Sequence, residues 1–362
     1  MPEYKSIKRL KDDAERIRII NKLLKLREQL DRQIPAKTAT ETLLLATWNI
    51  RKFGDNRTKE SLHYIAEIMS RFDLIAVQEV AFEFEGLKKV VKLLGDNWDY
   101  IVTDSTEGKP ADGERMAFIY DRCKISFRKI AGELVLPESR LINVKDEKKG
   151  ERKLQFARTP YIVAFHAGWF RFVLTTVHIF YGKDKKVDPR RLEEISAVAK
   201  FIKKRAKDEK ENYILLGDFN IFNTNDETMK ALEKQGFYIP DAIKEHPTDL
   251  GKTQHYDQIA FKLKMEKDMT VFTEGRQQAG AFDFTQSVYG MDDLDTYREF
   301  FGDENTVGRT ESEISEYYRL YYRTYQMSDH LPLWIELKVD FSNQYLNGIR
   351  QGTAQNKTKK RL

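Results

Sequence analysis

The sequence predicts an α/β fold, a two-sheet α/β sandwich with helices outside. Three observations predict it. Short, continuously apolar runs such as TLLLATWNI and LIAVQEV read as strands buried on both faces. Helical stretches separate some of these runs, while hairpin turns join others. The chain has 362 residues, above the ~250–300 at which a single core usually stops growing, so one large domain with extensions is expected.

The N-terminal segment, residues 1–41, reads as an amphipathic helix and a linker. Ile7, Leu10, Ala14, Ile17, Ile20, Leu24 and Leu30 recur at helical spacing over residues 5–32, and Pro35 ends the helix. This stripe is expected to dock on the domain or to pair with a second copy as a homodimer. Because Lys5, Lys8, Arg9 and Lys11 cluster at one end, a nucleic-acid arm is a third reading.

Residues 42–340 alternate strands and helices. TLLLATWNI is a strand, KESLHYIAEIMSRF a helix, LIAVQEV a strand and GLKKVVKLLG a helix. RMAFIYD, YIVAF and RFVLTTVHIF are strands, the last two joined as a hairpin at His166–Gly168. PRRLEEISAVAKFIKKRAK opens on Pro189, which suits a first helical turn. YILLGDFN, YDQIAFKL and LPLWIEL close the series. Residues 291–327 form a polar, tyrosine-rich insertion, and 341–362 read as a disordered basic tail.

Charge and cysteine content narrow the function. The net charge of +5 is carried by the ends: residues 1–35 hold 10 Lys/Arg against 6 Asp/Glu, and 341–362 hold 5 Lys/Arg and no acid, which leaves the domain acidic. Bulk charge therefore does not announce a nucleic-acid surface. The one cysteine, Cys123, excludes an internal disulfide framework and fits an intracellular, cytoplasmic setting. No apolar run approaches the ~18 residues of a transmembrane segment.

Polar residues stand where apolar strands end. Asn49 ends TLLLATWN, Glu79 ends LIAVQE, and His178 lies at the end of FVLTTVH. Asp218 and Asn220 end YILLGDFN, Asp257 starts YDQIAF, and Asp329 and His330 precede LPLWIEL. One such residue is an ordinary turn former. Six such positions suit a site beyond converging strand ends better. Carboxylates and amide oxygens without thiols are hard ligands for Mg²⁺, Mn²⁺ or Ca²⁺. Two histidines add general acid–base capacity near neutral pH. No dinucleotide-binding, P-loop or serine-esterase motif is present. Together these groups describe hydrolysis of a phosphate ester.

WNIRKFG, LIAVQEV, ERMAFIYD, RTPYIVAF, TTVHIF, LLGDFN, YDQIAF and SDHLP follow one another in an order that resembles the endonuclease/exonuclease/phosphatase superfamily, over about residues 42–338. Within it, NIR followed by FG, YDQI and FDFTQSVYG are most similar to the deoxyribonuclease I branch. The resemblance implies Glu79 as metal carboxylate, with Asn49, Asp218 and Asp329 assisting. It implies His178 and His330 as acid–base imidazoles, steadied by Glu114 and Asp257, and Asp218 with Asn220 holding water or phosphate. Arg158 would grip the scissile phosphate. Two duplex-reading positions of that branch depart, with Ala81 in place of an arginine and Asp112 in place of a tyrosine.

The function expected is that of a Mg²⁺- or Mn²⁺-dependent phosphodiesterase, an endonuclease acting on nucleic acid, with DNA ahead of RNA. A hydrolase of the same family acting on a phospholipid headgroup, an inositol phosphate or a small nucleotide is the alternative, and a non-catalytic binding module is the third. In the insertion, YYRLYYRTY at 317–325 interleaves five tyrosines with two arginines. They either pack on the domain or stack bases and hold phosphates.

Overall fold

The run TLLLATWNI becomes β1 (Thr42–Phe53), and its two faces enter two cores. Leu43 and Leu45 pack between the sheets, while Leu44, Ala46 and Trp48 pack under the outer helices. That division accounts for an unbroken apolar run. The computed structural model describes residues 2–105, 113–146, 150–182, 187–209, 211–264 and 278–359.

Beside β1 lie β2 (Leu74–Val80), β3 (Trp98–Val102) and β4 (Arg115–Asp121), with β12 (Ala279–Ala281) and β13 (Leu333–Lys338), in the spatial order β12-β13-β1-β2-β4-β3. The second sheet runs β11-β10-β9-β8-β5, from β5 (Ile125–Glu133), β8 (Tyr161–Ala167), β9 (Phe170–His178), β10 (Asn212–Asp218) and β11 (Asp257–Lys262). A separate ribbon pairs β6 (Ile142–Asp146) with β7 (Gly150–Leu154). Only β1–β2 and β9–β10 pair in parallel among the described strands. A polar tie also crosses the apolar core between the sheets. Gln78 Nε2 donates to Thr47 Oγ1 at 3.1 Å and, across the gap, to Thr176 Oγ1 at 2.8 Å.

Helices cover both outer faces. The first sheet carries α3 (Lys59–Met69) and α4 (Glu85–Leu94); the second carries α5 (Pro189–Glu209), which buries Ile195, Val198, Ala199 and Ile202. Short helices α6 (Glu227–Glu233) and α7 (Asp241–Lys244) follow β10.

The N-terminal segment departs from the expected single stripe. It forms α1 (Lys5–Lys8) and α2 (Asp13–Gln33), because Asp12 caps a new helix by accepting from Ala14 N (2.8 Å) and Glu15 N (3.3 Å). The restart changes the face that docks. Ile19, Leu23, Leu26 and Leu30 are buried, whereas Ile17, Ile20 and Leu24 are exposed. Arg27 pairs with Glu67 of α3 at 2.9 Å, and Gln29 Nε2 donates to Asp283 O at 2.8 Å, which fixes that choice.

The insertion folds as short helices, α8 (Leu294–Tyr297), α9 (Glu311–Tyr317) and α10 (Arg323–Gln326), with a π-helical turn at Tyr318–Tyr322. Tyr297, Tyr318 and Tyr322 are buried beside Tyr289 and Phe301, so the packing reading holds for them. Tyr321 is exposed. The expected disordered tail is instead helical over α11 (Ser342–Lys359). Asp340 Oδ1 accepts from Ser342 N at its start, and Tyr345 meets the ring of Trp169 at 5.3 Å, which gives the segment an anchor that composition does not reveal. No described helix is long and apolar enough to cross a membrane.

Candidate active site

Strand register gathers the polar ends at one edge of the sandwich. Parallel pairing sets Asp218 opposite His178, and antiparallel pairing sets Asp218 opposite Asp257. This close approach needs Gly217, at φ 132°, because a Cβ there would lie 2.2 Å from the Val177 carbonyl oxygen. Glu79 is aimed by a bulge: the pairing of β2 slips between Asn49 and Phe53 on one side and between Val77 and Val80 on the other. Both Glu79 (φ 58°) and Asn220 (φ 53°) hold left-handed backbone, strain of about 1–3 kcal/mol each that the surrounding sheets must maintain.

One oxygen, Asp218 Oδ2, is the hub. Asn49 Nδ2 donates to it at 3.0 Å, His178 Nε2 lies 3.5 Å away and His330 Nε2 lies 3.8 Å away. The other carboxylate oxygen accepts from Asn220 N at 2.8 Å. Each imidazole has a carboxylate behind it. Asp257 Oδ2 is 2.8 Å from His330 Nδ1, and Glu114 Oε2 is 2.9 Å from His178 Nδ1. Arg158 grips the same Glu114 with two nitrogens, at 2.6 and 3.0 Å.

The electrostatics follow from these contacts. Burial pushes the Glu114 carboxyl up, but His178 and Arg158 outweigh it and hold the group at about 2. Burial also disfavours a charged His330; the facing carboxylates of Asp257 and Asp218 reverse this and raise the imidazole well above its ordinary range. The fully buried Asp257 carboxyl is itself pushed up, so the Asp257–His330 pair holds its proton tightly.

Donor atoms of Asp218, Asp257 and His330 lie within 4.8 Å of one another, a buried acidic and histidine group able to hold a metal. A protonated His330 is a poor ligand, however, and a second place has better donors for a hard cation. Asn49 Nδ2 donates to Glu79 Oε1 at 3.0 Å, and the buried Asn49 Oδ1 has no hydrogen-bond partner among the described residues. An orphaned amide oxygen beside a carboxylate fits Mg²⁺, Mn²⁺ or Ca²⁺.

The structure thus brings together Asn49, Glu79, Glu114, Arg158, His178, Asp218, Asn220, Asp257 and His330. Asp329 stands apart on the rim: its side chain is 43% exposed and lies 3.6 Å from Arg51. Asn220 Nδ2 already donates to Ile179 O at 2.8 Å. Of the two departing positions, Ala81 follows β2 and Asp112 lies outside the described residues.

Residue-type reasoning missed the supports. Ser328 Oγ donates to Asn49 O (2.6 Å) and accepts from His330 N (2.9 Å), and Trp48 Nε1 donates to His330 O (2.9 Å). Arg191 is buried and donates to Asn220 O at 3.1 Å. Ser328 and Trp48 sit inside SDHLP and WNIRKFG, so their motifs could have flagged them. Arg191 lies in an ordinary amphipathic helix and carries no such signal.

Comparison with known proteins identifies the family and the fold. A model of the endonuclease/exonuclease/phosphatase family matches residues 46–286. A 94-residue stretch is 35% identical to Deoxyribonuclease-1 of Rattus norvegicus, covering 24% of this chain and only 32% of that protein's length. Among solved structures, an endonuclease/exonuclease/phosphatase family protein from Bacteroides thetaiotaomicron superposes with a TM-score of 0.52 at 18% identity, over 84% of this chain and 97% of that one. A mannosyl-6-phosphatase of Bacteroides thetaiotaomicron VPI-5482 gives 0.50 at 17%, over 82% and 99%. At such identities these two likenesses speak to the fold alone.

Proposed function

We propose that this chain, which belongs to the endonuclease/exonuclease/phosphatase family, hydrolyses phosphodiesters of nucleic acid, DNA first, as a Mg²⁺- or Mn²⁺-dependent endonuclease. The observation that carries the reading is the pair of carboxylate-backed imidazoles on either side of Asp218 Oδ2. A site that only binds has no need of two carboxylate-backed imidazoles around one carboxylate.

A phosphodiester resists hydrolysis because its oxygens repel an incoming anion and its alkoxide leaves poorly. Asp218, oriented by Asn220 N and Asn49, takes the proton of an in-line water. The cationic His330 faces the negative charge that builds on the phosphoryl oxygens. His178, held by Glu114, delivers a proton to the departing oxygen. Glu79 and Asn49 would hold the cation, which when bound supplies charge neutralisation of the phosphate. Asn220 has one amide hydrogen left for a phosphate oxygen, and Arg158 acts first through Glu114. Asp329 contributes from the rim. Cytoplasmic placement accompanies this reading, since the single cysteine, Cys123, is exposed and free.

Supercoiled plasmid and single-stranded oligonucleotides, incubated with Mg²⁺ and with EDTA beside a phosphoinositide panel, test the proposal. Nicking or cutting that EDTA stops is expected. Phosphate release from the panel without any nucleic-acid cleavage would overturn the substrate, and silence on every ester would overturn the catalytic reading.

A further inference from the structure

A cleft of 610 Å³ opens directly beside His330, with Tyr256 and Asp329 on its near side and the tyrosine-rich insertion as its far wall. The wall presents Arg319, Tyr321 and Arg323, and Arg51 crosses toward it from β1. Arg51 Nη1 donates to Leu320 O (3.1 Å) and Thr324 Oγ1 (2.7 Å), and its guanidinium lies 4.3 Å from the ring centre of Tyr325. The insertion and the catalytic edge are thereby fastened to each other.

Arg323 is the most enclosed of these arginines. It is only 9% exposed, yet among the described residues it has no carboxylate partner; Nε donates to the Arg319 carbonyl at 3.1 Å. Burial and the neighbouring Arg319 work against its charge and outweigh Tyr318 and Asp283, which favour it. Arg57 and Arg191, also buried without a carboxylate partner among the described residues, are taken up by several backbone carbonyls: Arg57 by Arg51 O and Lys52 O, Arg191 by Phe180 O, Tyr181 O and Asn220 O. The acids of the cleft are spoken for. Asp249 turns into its own loop, accepting from Thr253 N (2.7 Å) and Gln254 N (2.6 Å), and Asp329 faces Arg51. A buried guanidinium with no ion-pair partner among the described residues, lining a cleft that begins at the His330 imidazole, offers donors to an anion that arrives with the substrate.

Beside it, Tyr321 is 51% exposed and stacks its inner face on Tyr317 at 6.0 Å between ring centres. Its outer face is free for a planar ring. The π turn at Tyr318–Tyr322 produces this arrangement, widening the helix so that Tyr318 and Tyr322 stay in the core while Tyr321 and Arg323 reach the cleft.

The geometry points to this cleft as a subsite for the nucleotide next to the scissile linkage. Its phosphate would lie on Arg323 and Arg319, and its base against Tyr321. The inference rests on the phosphodiesterase reading and deepens it. The unit recognised is a strand whose bases are free to splay, which duplex stacking hinders. A second phosphate on a headgroup offers the same anion without the base.

The test uses single-stranded oligonucleotides in which one linkage adjacent to the cut, on either side in turn, is a neutral methylphosphonate. For the full-length protein, neutralising the correct neighbour should raise KM about tenfold with little change in kcat, as for one charge-assisted phosphate contact. Arg323→Gln should show the same tenfold loss on the native strand and no further loss on the neutralised one. Arg323→Lys should recover part of it. Arg319→Gln and Tyr321→Ala, on the exposed wall, cannot plausibly unfold the protein and should each raise KM severalfold. Anisotropy of a labelled oligonucleotide in EDTA gives the same ranking independently of turnover. Wild-type-like sensitivity to the methylphosphonate in Arg323→Gln overturns the subsite while leaving the catalytic reading intact. If nucleic acid is not cut but Arg323→Gln weakens a bisphosphorylated headgroup more than a monophosphorylated one, the strand is overturned in favour of the headgroup.

Discussion

His330 and His63 are both buried, and their surroundings drive them in opposite directions. His330, at the edge between the sheets, faces Asp257 and Asp218 and is held as a cation. His63, on α3 under the N-terminal helices, has Ser6 Oγ at 2.7 Å and no facing carboxylate; burial alone pushes it down to about 4. Burial by itself neutralises an imidazole. A carboxylate placed behind it makes a charged group that can give and take a proton. The catalytic edge is thus distinguished by what stands behind each ring, since depth of burial is common to both regions.

The largest expected effect breaks the catalytic side of this contrast. His178→Ala should lower turnover by about 10²–10⁴-fold, the usual loss of a general acid, and His330→Ala by about 10²–10³-fold, the usual loss of one charge-stabilising donor, while His63→Ala leaves turnover unchanged. Because both imidazoles act on one transition state, the double variant should fall far short of the product of the two losses. Asp257→Asn should reduce kcat more than it raises KM, since Asp257 acts through His330. Oligonucleotide cleavage, with thermal melts to confirm folding, checks all five variants.

Next comes the backbone that permits the arrangement. Gly217→Ala places a methyl group 2.2 Å from the Val177 carbonyl at φ 132°. Separating β9 from β10 there moves His178 away from Asp218, so stability should drop by about 2–4 kcal/mol and activity should fall with it. An unaltered melt with full activity would contradict the register described here.

Glu79→Gln should have a smaller and more specific effect. Removing one charged oxygen beside the orphaned Asn49 Oδ1 should raise the Mg²⁺ needed for half-maximal activity about tenfold or more, and should erase any rise in melting temperature on adding Mg²⁺. The melt separates loss of the cation from loss of a catalytic contact.

Much of the catalytic side was legible in the sequence, and for a physical reason. Acids, amides and imidazoles at the ends of doubly buried strands stand out against the apolar run. The parallel and antiparallel neighbours of β10 then bring Asp218, His178 and Asp257 together. Asp329 carried the same signal and yet lies on the rim, at a bend before β13 where its side chain faces Arg51. The N-terminal side was less legible. Two apolar stripes run along α2, and periodicity cannot choose between Ile17, Ile20 and Leu24 and the buried Ile19, Leu23 and Leu26. That choice is made by distant partners, Glu67 and Asp283, and by the cap at Asp12. The helical tail and the enclosure of Arg323 were hidden for the same reason, since each depends on neighbours remote in sequence.

The smallest effect sharpens the other side of the contrast. His63 joins α1 to α3 through Ser6, its ring lies 6.5 Å from that of Tyr4, and its buried Nδ1 has no partner among the described residues. Glu67, one turn along, is taken by Arg27 and Tyr4. The folded chain therefore holds this imidazole neutral down to about pH 4, whereas in the unfolded chain it takes a proton near 6.5. Between those values the unfolded state binds more protons, so stability falls as pH falls from 6.5 to 4 and levels off below. A shift of this size is worth about 3 kcal/mol at most, a few degrees in melting temperature for a chain this long. His246 and His255 are also lowered by burial and add to the same window, while His330, raised, is already protonated throughout it. The measurement is accordingly a difference. Melting temperature from pH 7 to 4 should decline less steeply in His63→Gln than in the wild type, and a protein lacking residues 1–33 should lose the same difference. Parallel declines in wild type and His63→Gln would show that His63 takes up its proton without loosening the N-terminal helices.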